Sequence, residues 1–321
     1  MAEPIGFAVP RGPRNEQSWQ ESSVVTSWAH ASFSTPEPYR SARIDENHEQ
    51  IREFCRFLAH EWRGSRYHSY AVPSKGRSSA WSRTIDGRWS AFGLADAASK
   101  YAWGGKNFSE NKVELDRLAA DLQSAIQRDS NNDVCEIMKA IMHWGGVDNK
   151  HRQKGTFEWI ERNADEISVK LSNAVDLIKD EQASLEPFDG VNLIMNSTMT
   201  KIVSLADPEQ KLVIYDGRIG GALGFFVARF TEELEIHQYD VAEQLLFAVD
   251  REAKRTPKTK RIHFPALFGK ARDRCHASMV RSASQLIWQV AKECQSSPRE
   301  IEAALFMWGY KVAEEREDLP V

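Results

Sequence analysis

Apolar residues recur at helical spacing through most of the chain. Ile44, Ile51, Phe54, Phe57 and Leu58 share one face, with Asp45 in the first turn, and predict a helix beginning near residue 44. A second helix is predicted over 91–103, ended by Gly104 and Gly105. Val113, Leu115, Leu118, Leu122 and Ile126 form a further stripe. Val134, Ile137, Met138, Ile141 and Met142 form another, closed by Gly145 and Gly146. Ile167, Leu171, Val175 and Ile178 mark an amphipathic helix over 167–185. After Pro187 the pattern predicts a short helix at 191–195, a tight polar turn, and a helix over 199–205. Residues 212–215 read as extended, and Asp216 opens a helix toward Leu223. Three more helices are predicted over 241–249, 277–294 and 298–312. Residues 65–88 hold Pro73, Gly76, Gly87 and many serines, and read as loop.

These elements predict an all-α, multi-helix globule with a helix-hairpin-helix-like element and at most one or two short strands. No repeat recurs at a fixed period. Residues 1–42 are rich in Pro, Ser and Arg without periodicity, and read as a poorly ordered arm. The remaining 43–321 read as a single domain, with room for two helical lobes meeting near 190–225. No apolar run approaches the roughly 20 residues that cross a bilayer, and the N-terminus carries no signal peptide. Cys55, Cys135, Cys275 and Cys294 show no CxxC spacing, so they read as reduced thiols. A soluble, cytoplasmic, monomeric protein with no membrane partner is the expectation.

The net charge of -4 speaks against a polyanion partner, but its distribution does not. Over Arg251–Arg274 nine Lys or Arg face only Glu252 and Asp273. Over 65–90 Arg66, Lys75, Arg77, Arg83 and Arg88 face only Asp86, and Trp81 and Trp89 are interleaved with them. Cations mixed with aromatics suit a nucleic-acid surface. Arg77, Arg83, Lys258, Lys260 and Arg261 are its candidate phosphate contacts. Solvated loops explain the same charges equally well.

Phosphate loops, HExxH, GxSxG and EF-hand motifs are absent. The histidines are scattered, and His60 and His143 read as ordinary half-buried side chains, so neither metal nor cofactor is expected. The informative stretch is 192–224, NLIMNSTMTKIVSLADPEQKLVIYDGRIGGALG. Helix, turn, helix, loop and an Asp at a helix start follow one another here. Over these residues the chain resembles the helix-hairpin-helix DNA glycosylase superfamily, the endonuclease III and 8-oxoguanine glycosylase group. In that family an early Lys of the post-hairpin helix is the nucleophile, and an Asp at the next helix start is the catalytic carboxylate. Lys201 matches the first and Asp216 the second, with Ile219 and Leu223 at the apolar positions that follow. Asn196, Ser197 and Thr198 stand where the family has Gly-x-Gly, and the Lys-to-Asp separation is shorter than is usual. The resemblance implies a distant member that excises a damaged or modified base from double-stranded DNA, with phage defence as one setting and abasic-site lyase activity left open.

The residue types suit that chemistry. Breaking an N-glycosidic bond develops positive charge on the sugar, which a carboxylate stabilises. A buried, neutral amine traps the sugar as a Schiff base. Taken singly, Asp216 also reads as a plain N-cap and Lys201 as a solvated helix residue. The turn residues Asn196, Ser197, Thr198 and Thr200 are the expected phosphate clamp, and Arg218 an added cation. Trp81, Trp89 and Trp288 are the candidates for holding a flipped base, whereas Trp103, Trp144 and Trp308, and Trp288 in its alternative reading, sit in apolar helices and read as core. A non-catalytic DNA-binding or defence-complex protein, and a helical regulator that never meets DNA, are the rival readings.

Overall fold

The computed structural model describes residues 37–72, 85, 87–151, 153–267 and 272–312. Ten α-helices and one two-stranded sheet are present among them, a mostly helical fold as the periodicity predicts, although the helix over 154–162 is not marked by the pattern. The elements are α1 (Glu37–Arg63), β1 (Tyr67–Ala71), β2 (Arg88–Phe92), α2 (Gly93–Ser99), α3 (Phe108–Gln127), α4 (Asn131–Trp144), α5 (Lys154–Arg162), α6 (Ile167–Lys179), α7 (Met199–Ala206), α8 (Gly217–Glu233), α9 (Arg272–Cys294) and α10 (Pro298–Trp308). From residue 42 onward the described residues form one compact unit. The arm assigned to 1–42 lies outside the described residues, apart from the start of α1.

Helix α7 packs on α3, α4 and α6, whereas α8 packs on α10. Helix α10 in turn lies against α2 and α9, so it is the hinge piece between elements far apart in sequence. Its start is legible in the sequence: Ser297 and Glu300 form a reciprocal capping box, and Pro298 occupies the first turn, where a missing N–H costs nothing. Its end is finished by β1. The last carbonyls of a helix lack intrahelical donors, and here Tyr70 Oη donates to Met307 O at 2.8 Å while His68 Nε2 lies 3.1 Å from Trp308 O. The His68 ring also stacks on Trp308, with centroids 4.6 Å apart. Trp308 is fully buried, and truncating such a side chain to alanine costs about 3–5 kcal/mol.

Several boundaries differ from the sequence pattern, each for a local reason. Residues 67–71, expected as loop, form β1 paired antiparallel with β2, because Tyr67, Ser69 and Ala71 alternate with buried His68 and Tyr70. The helix expected over 91–103 is only α2. Strand β2 runs to Phe92, and Gly93 turns the chain with φ of +75°, where a Cβ would meet Gly64 O at 2.1 Å. Helix α6 stops at Lys179 because Arg281 of α9 takes its terminal carbonyls, donating to Leu177 O at 2.6 Å and Ile178 O at 3.2 Å. The helix expected over 241–249 is replaced by one turn at Glu243–Leu245 and an extended run. Val249 N donates to Pro265 O and Leu267 N to Val249 O, in a short parallel pairing.

Residues 191–195 are not helical either. Asp189 Oδ1 accepts from Val191 N and Asn192 N, and Asp273 Oδ1 on α9 accepts from Met195 N at 2.7 Å. Side chains thus take the amides that a helix would have used. The turn at 196–198 and the helix after it stand where the pattern predicts them, but with no helix directly before the turn the expected helix-hairpin-helix element is not formed.

Candidate functional site

The site grows from α7 and the chain that follows it. All eight residues of α7 are buried, including Lys201. Its start is tied by Asn196, which lies two residues before the N-cap Thr198 and accepts through Oδ1 from Thr198 N at 2.9 Å and Met199 N at 3.1 Å in an Asx-type turn. The Lys201 side chain folds back along the helix and Nζ donates to Ser197 O at 2.6 Å. Asp207, fully buried, ends the helix and reverses the chain. It accepts from Lys211 N at 2.7 Å, Leu212 N at 3.1 Å and Lys179 Nζ at 3.2 Å.

Residues 212–215 carry no regular secondary structure and pair with no strand. Side chains from three helices hold them instead. Ser284 Oγ of α9 accepts from Val213 N at 3.0 Å, and Glu302 Oε2 of α10 accepts from Ile214 N at 3.0 Å. Tyr215 O receives Thr200 Oγ1 of α7 at 3.1 Å and lies 2.9 Å from His276 Nε2 of α9. This scaffold delivers Asp216, whose Oδ1 accepts from Arg218 N at 2.9 Å and Ile219 N at 3.1 Å as the N-cap of α8. Gly217 follows because nothing larger fits: a Cβ there would stand 1.9 Å from Asp250 Oδ2.

Lys201 and Asp216 line one cavity of about 310 Å³. Its walls carry the rings of Tyr101, Trp103, Phe108, Trp144 and Phe306. The Arg218 guanidinium lies inside it, 4.2 Å from the Phe306 centroid and 5.0 Å from that of Tyr310. Two ion pairs complete the lining. Arg255 meets Asp250 at 2.7 Å, and Arg299 meets Glu302 at 2.9 Å.

Burial lowers the Lys201 ammonium below its usual range, opposed by the charges of Asp216 and Glu302. Burial acts to raise the Asp216 carboxyl, but Lys201, Arg218 and Arg255 outweigh it and hold the group below the usual carboxylate range. The Glu302 carboxyl is raised by burial against the pull of Arg299. A buried amine and a buried carboxyl thus line one cavity, with ring faces around them.

The two residues expected to carry chemistry are therefore together. The expected phosphate clamp is not preformed. Thr198 is buried with Oγ1 on Gln153, Thr200 is committed to Ser197 O and Tyr215 O, and Asn196 occupies the Thr198 and Met199 amides that a phosphate would need. Ser197, half-buried, does line the cavity. Arg218 is a buried cavity residue and not a surface cation. Lys258, Lys260 and Arg261 are exposed, and no ion pair engages them among the described residues. Arg77, Arg83 and Trp81 lie outside the described residues.

The aromatic assignments change most. Trp89 is buried in the sheet, stacked on Tyr70 at 4.9 Å with Nε1 donating to Lys100 O, so it is core. Trp288, half-buried on α9, does not line the cavity. Trp103 and Trp144, which read as core, are wall residues: Trp103 Nε1 donates to Trp144 O at 2.9 Å and Trp144 Nε1 to Asn111 Oδ1 at 3.0 Å. Sequence reasoning missed Arg299 and Glu302. The signal was an acid inside the apolar run Ile301–Trp308, a run in which nearly every position is buried.

No family model, curated protein or solved structure matches the chain. Among the described residues no group of His, Cys, Asp and Glu is placed to hold a metal ion, and no helix is long and apolar enough to cross a membrane.

Proposed function

We propose that this protein is a DNA glycosylase that admits an extruded, damaged or modified base into the cavity and breaks its N-glycosidic bond. One observation carries the reading: Lys201 and Asp216, delivered by successive elements, line the same aromatic-walled cavity. A base entering between ring faces gains stacking worth about 1–3 kcal/mol, against the few kcal/mol needed to unstack it from duplex. Asp216, which keeps Arg218 and Arg255 as cationic neighbours when Lys201 is in its neutral form, faces the positive charge that develops on the sugar as the bond stretches. The neutral Lys201 amine attacks C1′. A C–N bond forms, the glycosidic electron pair leaves with the base, and the proton of the new ammonium passes to that base. Opening of the sugar ring then leaves a Schiff base. With water as nucleophile the product is a plain abasic site.

The basic segment supports duplex binding by its position in the chain. Asp250 and Arg255 line the cavity, and Lys258, Lys260 and Arg261 follow within six residues on the surface. Cations there track phosphates and carry no sequence information.

Incubation with duplexes bearing a panel of modified bases, and with phage DNAs, tests the reading through abasic-site formation. Release of at least one base is expected, together with a borohydride-trapped adduct that Lys201→Gln abolishes. Intact bases across the panel with duplex binding retained would replace this reading by non-catalytic DNA binding.

A further inference from the structure

Asp216 and Lys201 sit on different elements, and helix α10 reaches both of these. Glu302 Oε2 accepts the Ile214 amide at 3.0 Å, two residues before Asp216. Arg299, one turn earlier on α10, donates through Nη1 to both Glu302 oxygens at 2.9 and 3.1 Å, and through Nη2 to Ser204 Oγ of α7 at 2.9 Å. Ser204 lies one turn beyond Lys201 on α7. Both α10 side chains line the cavity, and Glu302 is buried.

A buried ion pair is a poor device for stability alone, since hydrophobic residues of similar volume serve as well or better. Its use here is in what it joins. We infer that Glu302 and Arg299 are positioning residues: they clamp the Lys201 helix to the Asp216 segment, and the Glu302 carboxylate sets the charge environment of Lys201. Neither touches the reacting atoms in this arrangement. The clamp rests on the glycosylase reading for its purpose, but the link to Lys201 stands independently of it.

Lys201 is faced by Asp216 and Arg218 from α8, Glu302 from α10 and His276 from α9. Arg299, Lys112, Asp116 and the Asp250–Arg255 pair also line the cavity. Of the anions, Asp216 and Glu302 favour the ammonium form of Lys201. Replacing Glu302 by glutamine keeps an oxygen for the Ile214 amide and removes the charge. The Lys201 titration should then move to lower pH, since an anion is removed and Arg299 is left without its counter-charge.

The test measures Lys201 directly, by pH-dependent labelling of the full-length protein with cyanate followed by peptide mass spectrometry. Glu302→Gln is expected to shift the labelling midpoint of Lys201 down by about half a pH unit or more, with other lysines unmoved. Glu302→Ala, which also frees the Ile214 amide, is expected to cut base release at least about tenfold, as small misplacements of reacting groups do, with Glu302→Gln retaining most of it. Thermal melts of both variants check folding, and the labelling midpoint in the folded Gln variant decides the case if the Ala variant unfolds. An unchanged Lys201 midpoint in folded Glu302→Gln overturns the inference. A shifted midpoint in a protein that releases no base overturns the glycosylase reading and leaves the clamp standing.

Discussion

Gly145 and Lys201 touch across the end of α4: a Cβ on residue 145 would stand 2.8 Å from Lys201 Cδ and 3.0 Å from Cε. The backbone at 145 is right-handed helical, with φ of -71°, so alanine is permitted there on conformational grounds alone. The glycine is thus explained by the lysine and not by the turn. Gly145→Ala should push the Lys201 stem aside while changing global stability by less than about 1 kcal/mol. On the proposed glycosylase reading, borohydride trapping on a substrate duplex should fall about tenfold or more, because the amine is displaced from its line of attack. Equal trapping with an unchanged melting temperature would mean that the stem relaxes into open cavity without moving Nζ.

Asp216 both caps α8 and faces the cavity, and one substitution separates the two roles. Asparagine caps nearly as well as aspartate, so Asp216→Asn should retain the bonds to the Arg218 and Ile219 amides and cost about 1 kcal/mol or less. The carboxylate charge disappears, and on the proposed glycosylase reading so does the stabilisation of the sugar cation, which is worth several kcal/mol in buried sites. Base release should drop by about 10²-fold or more at unchanged duplex affinity. Release at the wild-type rate by a folded variant would reduce Asp216 to a cap.

How much of this is legible in the sequence depends on whether the partner lies nearby along the chain. The caps at Asp216 and at Ser297–Glu300 use residues two or three positions apart, and the pattern marks both helix starts correctly. The apolar spacing of Val191, Ile194 and Met195 misleads because Asp273, 78 residues away, takes the Met195 amide. Residues 241–249 depart from their pattern for the same reason, their partner segment being Pro265–Leu267. Lys201 and Asp216 are accessible through local order, turn then helix then cap. The ring faces are not. Trp103 and Trp144 occupy apolar patterns indistinguishable from core, and only the packing of α3, α8 and α10 leaves an open space beside them.

The basic segment gives a prediction about salt. Lys258, Lys260 and Arg261 are exposed, so neutralising them should leave the fold unchanged. Removing one cation–phosphate pairing lowers the slope of log K against log salt by about 0.9 on duplex DNA. Replacing all three by glutamine should reduce the slope magnitude by about 2–3 and weaken binding on every sequence tested. Fluorescence anisotropy across a salt series reads this directly. Identical slopes would make the segment a solvated loop.

Two buried histidines set the acid limit of the fold. Burial lowers His68 and His276 to about 4 each, and each presents Nε2 to a main-chain carbonyl, so that nitrogen carries the proton of a neutral ring. In the unfolded chain both titrate near 6.5. Between those values the unfolded state binds more protons than the folded one, so stability rises with pH across the window. The contribution is complete above about pH 6.5 and disappears as pH falls toward 4, to a limit of about 3 kcal/mol per ring. Carboxylates held low by cations, Asp216 among them, act further down, as pH drops through the ordinary carboxylate range. His68 lies in the sheet beside Trp308 and away from the cavity lining, which makes it the cleaner probe. Urea unfolding of wild type should give a free energy several kcal/mol smaller at pH 4.5 than at pH 7.5. His68→Gln should lower stability at pH 7.5, because the stack on Trp308 is gone, yet show a shallower fall between the two pH values. A variant with the wild-type slope would mean that His68 is accommodated in its charged form and that the acid sensitivity arises elsewhere.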